Sequence, residues 1–249
     1  MSAFAVIAGV GPGTGSAVAR RFARAYPVAL LARNPDNFTS LVDEINASGG
    51  QAVGISTDVS SEASVKSAFA QIKEKFGSER CAAAVFNASG PFQRKSLLEL
   101  TADDMSKSWD VSCKGAFLFS QSAIPLLLAQ GSSTSSAGAE QHPPTLIFTG
   151  ATASVKSNAH MSSFSTAKYA MRALSQSIAR EFAPQGVHVA HAVIDGVIDI
   201  PRTKDWLKDQ PAEAKISADG IAEAYWGLHV QPRQAFTNEI DIRPMLEKW

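Results

Sequence analysis

Seven short runs of this chain are apolar almost from end to end, and a longer amphipathic stretch separates each from the next. The runs are Phe4–Ala8, Val28–Ala32, Ala52–Ser56, Ala82–Asn87, Thr145–Thr149, His188–Ile194 and Ile240–Ile242. A strand with one wet face alternates polar and apolar residues, whereas a strand apolar throughout must be covered on both faces. Between the runs, helices are predicted near 14–25, 36–48, 61–76, 102–130, 160–183 and 217–228. Strands joined by helices give a parallel sheet, doubly wound, with ligands at the carboxyl ends of its strands. The pattern contains no internal repeat, so residues 1–249 are expected to form one domain.

The first strand runs directly into Gly9-Val10-Gly11-Pro12-Gly13-Thr14-Gly15, and a helical stretch follows at once. Glycines in such a turn let a phosphate approach the backbone, and the helix presents free amide hydrogens and its positive dipole end to it. Between a strand and a helix this is a strong dinucleotide signal, and it makes the expected fold a single-domain, Rossmann-type α/β sheet of about seven parallel strands with helices on both faces. At the end of the second strand a carboxylate would select NAD(H). This chain has Ala32, then Arg33 with Asn34 beside it, and the guanidinium fork suits the 2′-phosphate of NADP(H).

Composition narrows the function classes. Lys plus Arg equals Asp plus Glu at 23 each, which argues against nucleic-acid or anionic-membrane surfaces that need excess positive charge. No apolar run is read as long enough to span a bilayer. The two cysteines, Cys81 and Cys113, form no CxxC pair, so neither a disulfide frame nor a metal site is expected, and a reducing, cytoplasmic setting fits. One segment breaks the rhythm: residues 131–142 are rich in Ser, Gly and Ala and are expected to be a surface insertion.

Along nearly its whole length the chain resembles the short-chain dehydrogenase/reductase family. The spacing Gly9-x3-Gly13-x-Gly15 is similar to that family's phosphate loop, Asp58-Val59 to its adenine-contacting pair, and Asn87-Ala88-Ser89-Gly90 to its Asn-Asn-Ala-Gly segment. Lys168 falls where the family's Tyr-x3-Lys motif places its lysine. The resemblance implies that Lys168 holds the nicotinamide ribose and that the backbone near Val197 holds the carboxamide. It also implies a substrate lid over 199–217, which here includes Trp206 and Leu207. It implies a catalytic tyrosine, serine and asparagine too, but those positions hold Phe164, Ala151 and Ser112.

Phenylalanine has no proton to give. A general acid supplies about two to four powers of ten in rate, so the family's ordinary mechanism is weakened. Phe164 and Lys168, four residues apart, share one helix face, whereas Ser165 and Tyr169 are expected to point elsewhere. His160 is a candidate donor, Met161 offers none, and Ser112 with Thr152 could orient a water. Asp195, before Gly196, reads as a turn residue or a proton donor. The tail segments Leu228–Arg233 and Asn238–Pro244 resemble the ending of a divergent subgroup with the same phenylalanine.

Three functions follow from these residues: an NADP(H)-dependent oxidoreductase of a small carbonyl, hydroxyl or enoyl compound with an atypical proton source; a non-catalytic NADP(H) sensor; or an isomerase or cyclase reusing the pocket. Helices 102–130 and 160–183 are expected to build a homodimer or homotetramer, as in relatives.

Overall fold

A computed structural model describes residues 3–77, 79–129 and 142–248. Seven strands form one parallel sheet: β1 (Ala3–Ala8), β2 (Val28–Ala32), β3 (Ala52–Ser56), β4 (Arg80–Phe86), β5 (Thr145–Thr149), β6 (His188–Ile194) and a last strand, Glu239–Ile242. Two two-residue strands, β7 (Ile198–Asp199) and β8 (Ile216–Ser217), pair apart from it, which makes the last strand β9. The main order is β3-β2-β1-β4-β5-β6-β9, so the sheet reverses direction of growth between β1 and β4. At that switch point, neighbouring crossovers leave on opposite faces and open a crevice.

The helices are α1 (Thr14–Ala23), α2 (Thr39–Ala47), α3 (Glu62–Phe76), α4 (Ala102–Trp109), α5 (Gly115–Leu128), α6 (Ser162–Phe182) and α7 (Ala218–His229). One core lies under α1, α2 and α7 and includes Ile7, Phe22, Leu30 and Tyr225. The other lies under α3, α5 and α6 and includes Phe4, Phe86, Phe119 and Phe148. Strands β2, β4, β5 and β6 are buried at every position, which explains their unbroken apolar runs. Burying each large side chain contributes roughly 1.5–3 kcal/mol. Helix starts are set by local chemistry: Ser61 accepts from the Ser64 amide, Ser217 from the Gly220 amide, and Thr101 and Asp104 form a reciprocal capping box. Such caps contribute about 1 kcal/mol each.

The expected helix 102–130 is not continuous. Residues Asp110–Lys114 form a π-helical turn between α4 and α5, with the Gly115 amide donating to the Asp110 carbonyl. The turn is where Ser112 meets the loop after β4, so a tertiary hydrogen bond overrides helical regularity there. The run Ala102–Leu128 is also long and apolar enough by composition to span a bilayer, contrary to the reading from sequence. Half of its most apolar stretch is buried inside the fold, Phe119 and Leu127 completely, so core packing accounts for its composition. Of the insertion expected at 131–142, residues 131–141 lie outside the described residues. His142 is described, with its ring against Trp226 and His229.

Candidate active site

The glycine turn begins where β1 ends. Gly9 and Val10 both donate to the Leu31 carbonyl, at 2.9 and 3.1 Å, and this folds the chain back over β2. Gly9 has φ +83°, and a Cβ there would lie 2.3 Å from the Ala88 amide nitrogen, so a side chain is excluded. Asn87 fastens the other side, its Nδ2 donating to the Gly9 carbonyl at 2.9 Å. Gly11 differs: a Cβ would meet no protein atom within 4 Å, because the position faces the cavity. The turn delivers the chain to the start of α1, whose first turn carries no acidic residue. Amide hydrogens and a positive dipole end therefore face a space that the absent side chains leave open.

The opposite end of the crevice is built on β5, β6 and α6. Lys168 is 3% exposed and donates from Nζ to the Thr149 carbonyl at 3.0 Å. Burial lowers the Lys168 ammonium to about 8. Thr149 is itself held from behind, its Oγ1 accepting from the buried Tyr225 hydroxyl at 2.8 Å. One helical turn before Lys168, the Phe164 ring packs with Ala153, Met161 and Ala151. Phe92, from the loop after β4, meets Phe164 edge to face at 5.3 Å and lies 6.4 Å from Trp206.

Between these ends runs one cavity of about 850 Å³, within the range of small-molecule sites. Its remaining wall comes from the segment after β6. Ile200 lies against the phosphate loop, its Cγ2 2.6 Å from where a Gly13 Cβ would be. The β7–β8 pair and Lys215, which donates to the Thr203 and Lys204 carbonyls at 3.0 Å each, close the base of that excursion. Ile198, Ile200, Arg202, Thr203 and Trp206 thus line the cavity.

The family model for short chain dehydrogenases matches residues 3–211. The chain belongs to the short-chain dehydrogenase family. A short-chain dehydrogenase from Rhodopseudomonas palustris is 30% identical, with a TM-score of 0.79 over 97% of this chain and 98% of that one. An uncharacterised oxidoreductase of Staphylococcus epidermidis is 26% identical over 97% of this chain and 96% of its own length. At 24% identity, an alcohol dehydrogenase from Thermococcus sibiricus, solved with 5-hydroxy-NADP, shares the fold with a TM-score of 0.82, covering 100% of this chain and 99% of that one.

In this short-chain dehydrogenase the cavity gathers many of the residues singled out from sequence: Gly9, Gly11, Thr14, Gly15, Asn87, Ser89, Lys168 and Val197 all line it. Others lie beyond its walls. Arg33 is exposed past the end of β2; Asp58 is held below the usual carboxylate value chiefly by its hydrogen bond from the Ser60 hydroxyl, with Arg33 a smaller contribution. Asn34 is turned to its own neighbour, accepting from the Asp36 amide at 3.1 Å, and Asp58 accepts from the Ser60 hydroxyl at 2.7 Å. Val59 is buried against Gly115, and Ala88 packs on the core.

Two expectations need correction. Ser112 does not reach the cavity: it is fully buried, and its Oγ accepts the Gly90 amide at 2.9 Å, so its hydroxyl fixes the loop after β4. Ser165 does line the cavity, although helix geometry had it pointing elsewhere, and its buried Oγ has no partner among the described residues. The expected outward directions hold for Tyr169, which is 40% exposed. His160 is exposed and outside the lining, and its carbonyl accepts from the Lys95 amide. Asp195 is taken up by Thr152, whose Oγ1 donates to it at 2.5 Å, and by Arg243 at 2.9 Å. The lining residues Phe92, Arg94 and Lys156 carried no motif and were not anticipated, whereas Ile200 belongs to the expected lid segment.

Proposed function

We propose that this chain binds NADP(H) in the cavity and acts as an oxidoreductase on a small carbonyl, hydroxyl or enoyl compound, without a tyrosine as acid. The observation that carries this reading is the continuity of one cavity from the glycine turn to the buried Lys168. The open space at Gly11 and the amides at the start of α1 fit a pyrophosphate, and Arg33 suits a 2′-phosphate. NADP-complexed structures among the fold relatives support the same choice. When bound, the nicotinamide supplies or accepts a hydride.

The chain's own residues would do the rest. Phe164, Ala151 and Ser112 stand where the family resemblance implies tyrosine, serine and asparagine, so Lys168 lies beside an apolar cluster of Ala151, Ala153, Met161 and Phe164. With burial setting Lys168 at about 8, its Nζ holds a proton at neutral pH and can give it up readily. Thr149 fixes that nitrogen in place, and the Phe92–Phe164–Trp206 aromatics give the substrate end of the cavity an apolar wall. The segment 199–217 acts as the lid. Self-association through the exposed Trp109, Phe117 and Tyr169, and a reducing cytoplasmic setting consistent with two free thiols, belong to the same reading.

The apolar wall around Phe164 also favours a second reading, a nucleotide sensor without turnover. A panel of carbonyl and enoyl compounds with NADPH separates the two. Turnover by the native chain that Lys168→Ala abolishes is expected for the enzyme; nucleotide binding with no turnover of any compound would leave the sensor.

A further inference from the structure

The half of the cavity away from the glycine turn has a chemical character that the nucleotide reading does not use. The loop from Pro91 to Ser96 is irregular, and its side chains divide between two directions. Gln93 and Lys95 are tied back to Asp104 at the start of α4, at 3.3 and 3.0 Å. Phe92 and Arg94 line the cavity instead. The neighbouring loop is joined to this one by the Lys95 amide, which donates to the His160 carbonyl at 2.9 Å. That second loop contributes Lys156 to the same lining.

Arg94 and Lys156 are exposed, and neither side chain has a hydrogen bond or ion pair among the described residues. Glu247 is the one carboxylate in the lining among the described residues, and its Oε2 lies 3.0 Å from where a Gly196 Cβ would be. The chain as a whole is neutral, so the exposed cations beside an apolar chamber, Arg94 and Lys156 on these two loops and Arg202 on the segment after β6, are a local feature and not a reflection of global charge. The chamber itself presents Phe92 and Trp206, both nearly half exposed, together with Met161 and Phe164. Aromatic rings left open to a cavity favour an apolar body, and unpaired cations at its rim favour an anionic end.

We propose that this half of the cavity binds an amphiphilic anion, its apolar body against Phe92, Phe164 and Trp206 and its carboxylate or phosphate held by Arg94 and Lys156. The proposal rests on the nucleotide reading only for which half of the cavity stays free. A ligand of this kind would enter body first, placing its inner end near Lys168 and its charge at the solvent boundary, where desolvation costs least. Potential focused by the low-dielectric walls would also draw such anions to the mouth.

Calorimetric titration of NADPH-saturated protein with octanoate, octyl phosphate and 1-octanol tests it. Both anions are expected to bind at least tenfold more tightly than octanol. Arg94→Ala and Lys156→Ala are each expected to weaken the anions several-fold and leave octanol unchanged. The stronger of the two anions identifies the headgroup. Octanol binding as tightly as the anions, no probe binding at all, or an anion preference that survives the double substitution would overturn the proposal. A prior NADPH titration keeps the two readings apart. If NADPH does not bind, the nucleotide reading fails, and the same three probes on the free protein still decide the anion site.

Discussion

The Lys168 ammonium lies 5.8 Å from the centroid of the Phe164 ring, one helical turn away on α6. An aromatic face therefore meets the lysine where the family resemblance implies a phenol. The Phe164 ring carries no hydroxyl proton to give.

Restoring the hydroxyl should restore chemistry. Phe164→Tyr adds one oxygen to a ring that lines the cavity, beside an ammonium that would stabilise the phenolate. Carbonyl reduction, measured as kcat/KM at saturating NADPH, should rise by about two powers of ten or more. An unchanged rate would mean that proton delivery does not limit the native chain.

Lys168 should also make nucleotide binding depend on pH. Its ammonium titrates at about 8 in the free protein, and an anionic ligand favours the charged form. Affinity is then full below pH 8 and falls as pH rises through that value, by at most about tenfold per unit. Fluorescence titration of NADPH between pH 6.5 and about 9.5 measures this, and Lys168→Met should give a weaker, flat profile.

The fold was legible in the sequence because the central strands β1, β2, β4, β5 and β6 are short apolar runs, and burial on both faces demands that composition. Strands β2, β3, β5 and β6 have the expected ends. The pairs β7 and β8 are two residues long and leave no periodicity to read. The π-turn at Asp110–Lys114 was hidden for another reason: it depends on Ser112 meeting Gly90, twenty-two residues away in sequence. In the site, residues with a fixed backbone task, such as Gly9 and Asn87, were visible by motif. Phe92, Arg94 and Lys156 were not, since ordinary loop residues become a wall only when two loops are joined through Lys95 and His160.

Buried histidines should make the fold sensitive to acid. His229 donates to or accepts from Tyr26 and Thr145 at 2.9 and 3.0 Å, and burial lowers it to about 3. His191 is lowered to about 4 by burial as well. Both bind protons more tightly when unfolded, so their stability contribution is complete above the unfolded value near 6.5 and is lost as pH falls toward 4 and 3. The expected slope is about 1.4 kcal/mol per pH unit for each histidine. Thermal unfolding from pH 7.5 down to about 4.5 should show Tm dropping below pH 6.5, and His229→Gln should flatten the drop.

Self-association should fail when its apolar surface is charged. Trp109 and Phe117, each 44% exposed, and Tyr169 expose large apolar groups on α4, α5 and α6. Phe117→Glu is expected to convert dimer or tetramer to monomer in sedimentation velocity, with the far-ultraviolet spectrum unchanged. A native chain that is already monomeric would contradict the assembly.

The most direct test is a pair of fluorescence titrations, NADPH and NADH, on the native chain and on Arg33→Ala. Tighter binding of NADPH by about tenfold or more, a preference worth about 1.4 kcal/mol that the substitution removes, is the predicted result. Binding of neither nucleotide to the native chain, or NADH binding as tightly as NADPH, would contradict the account at its centre.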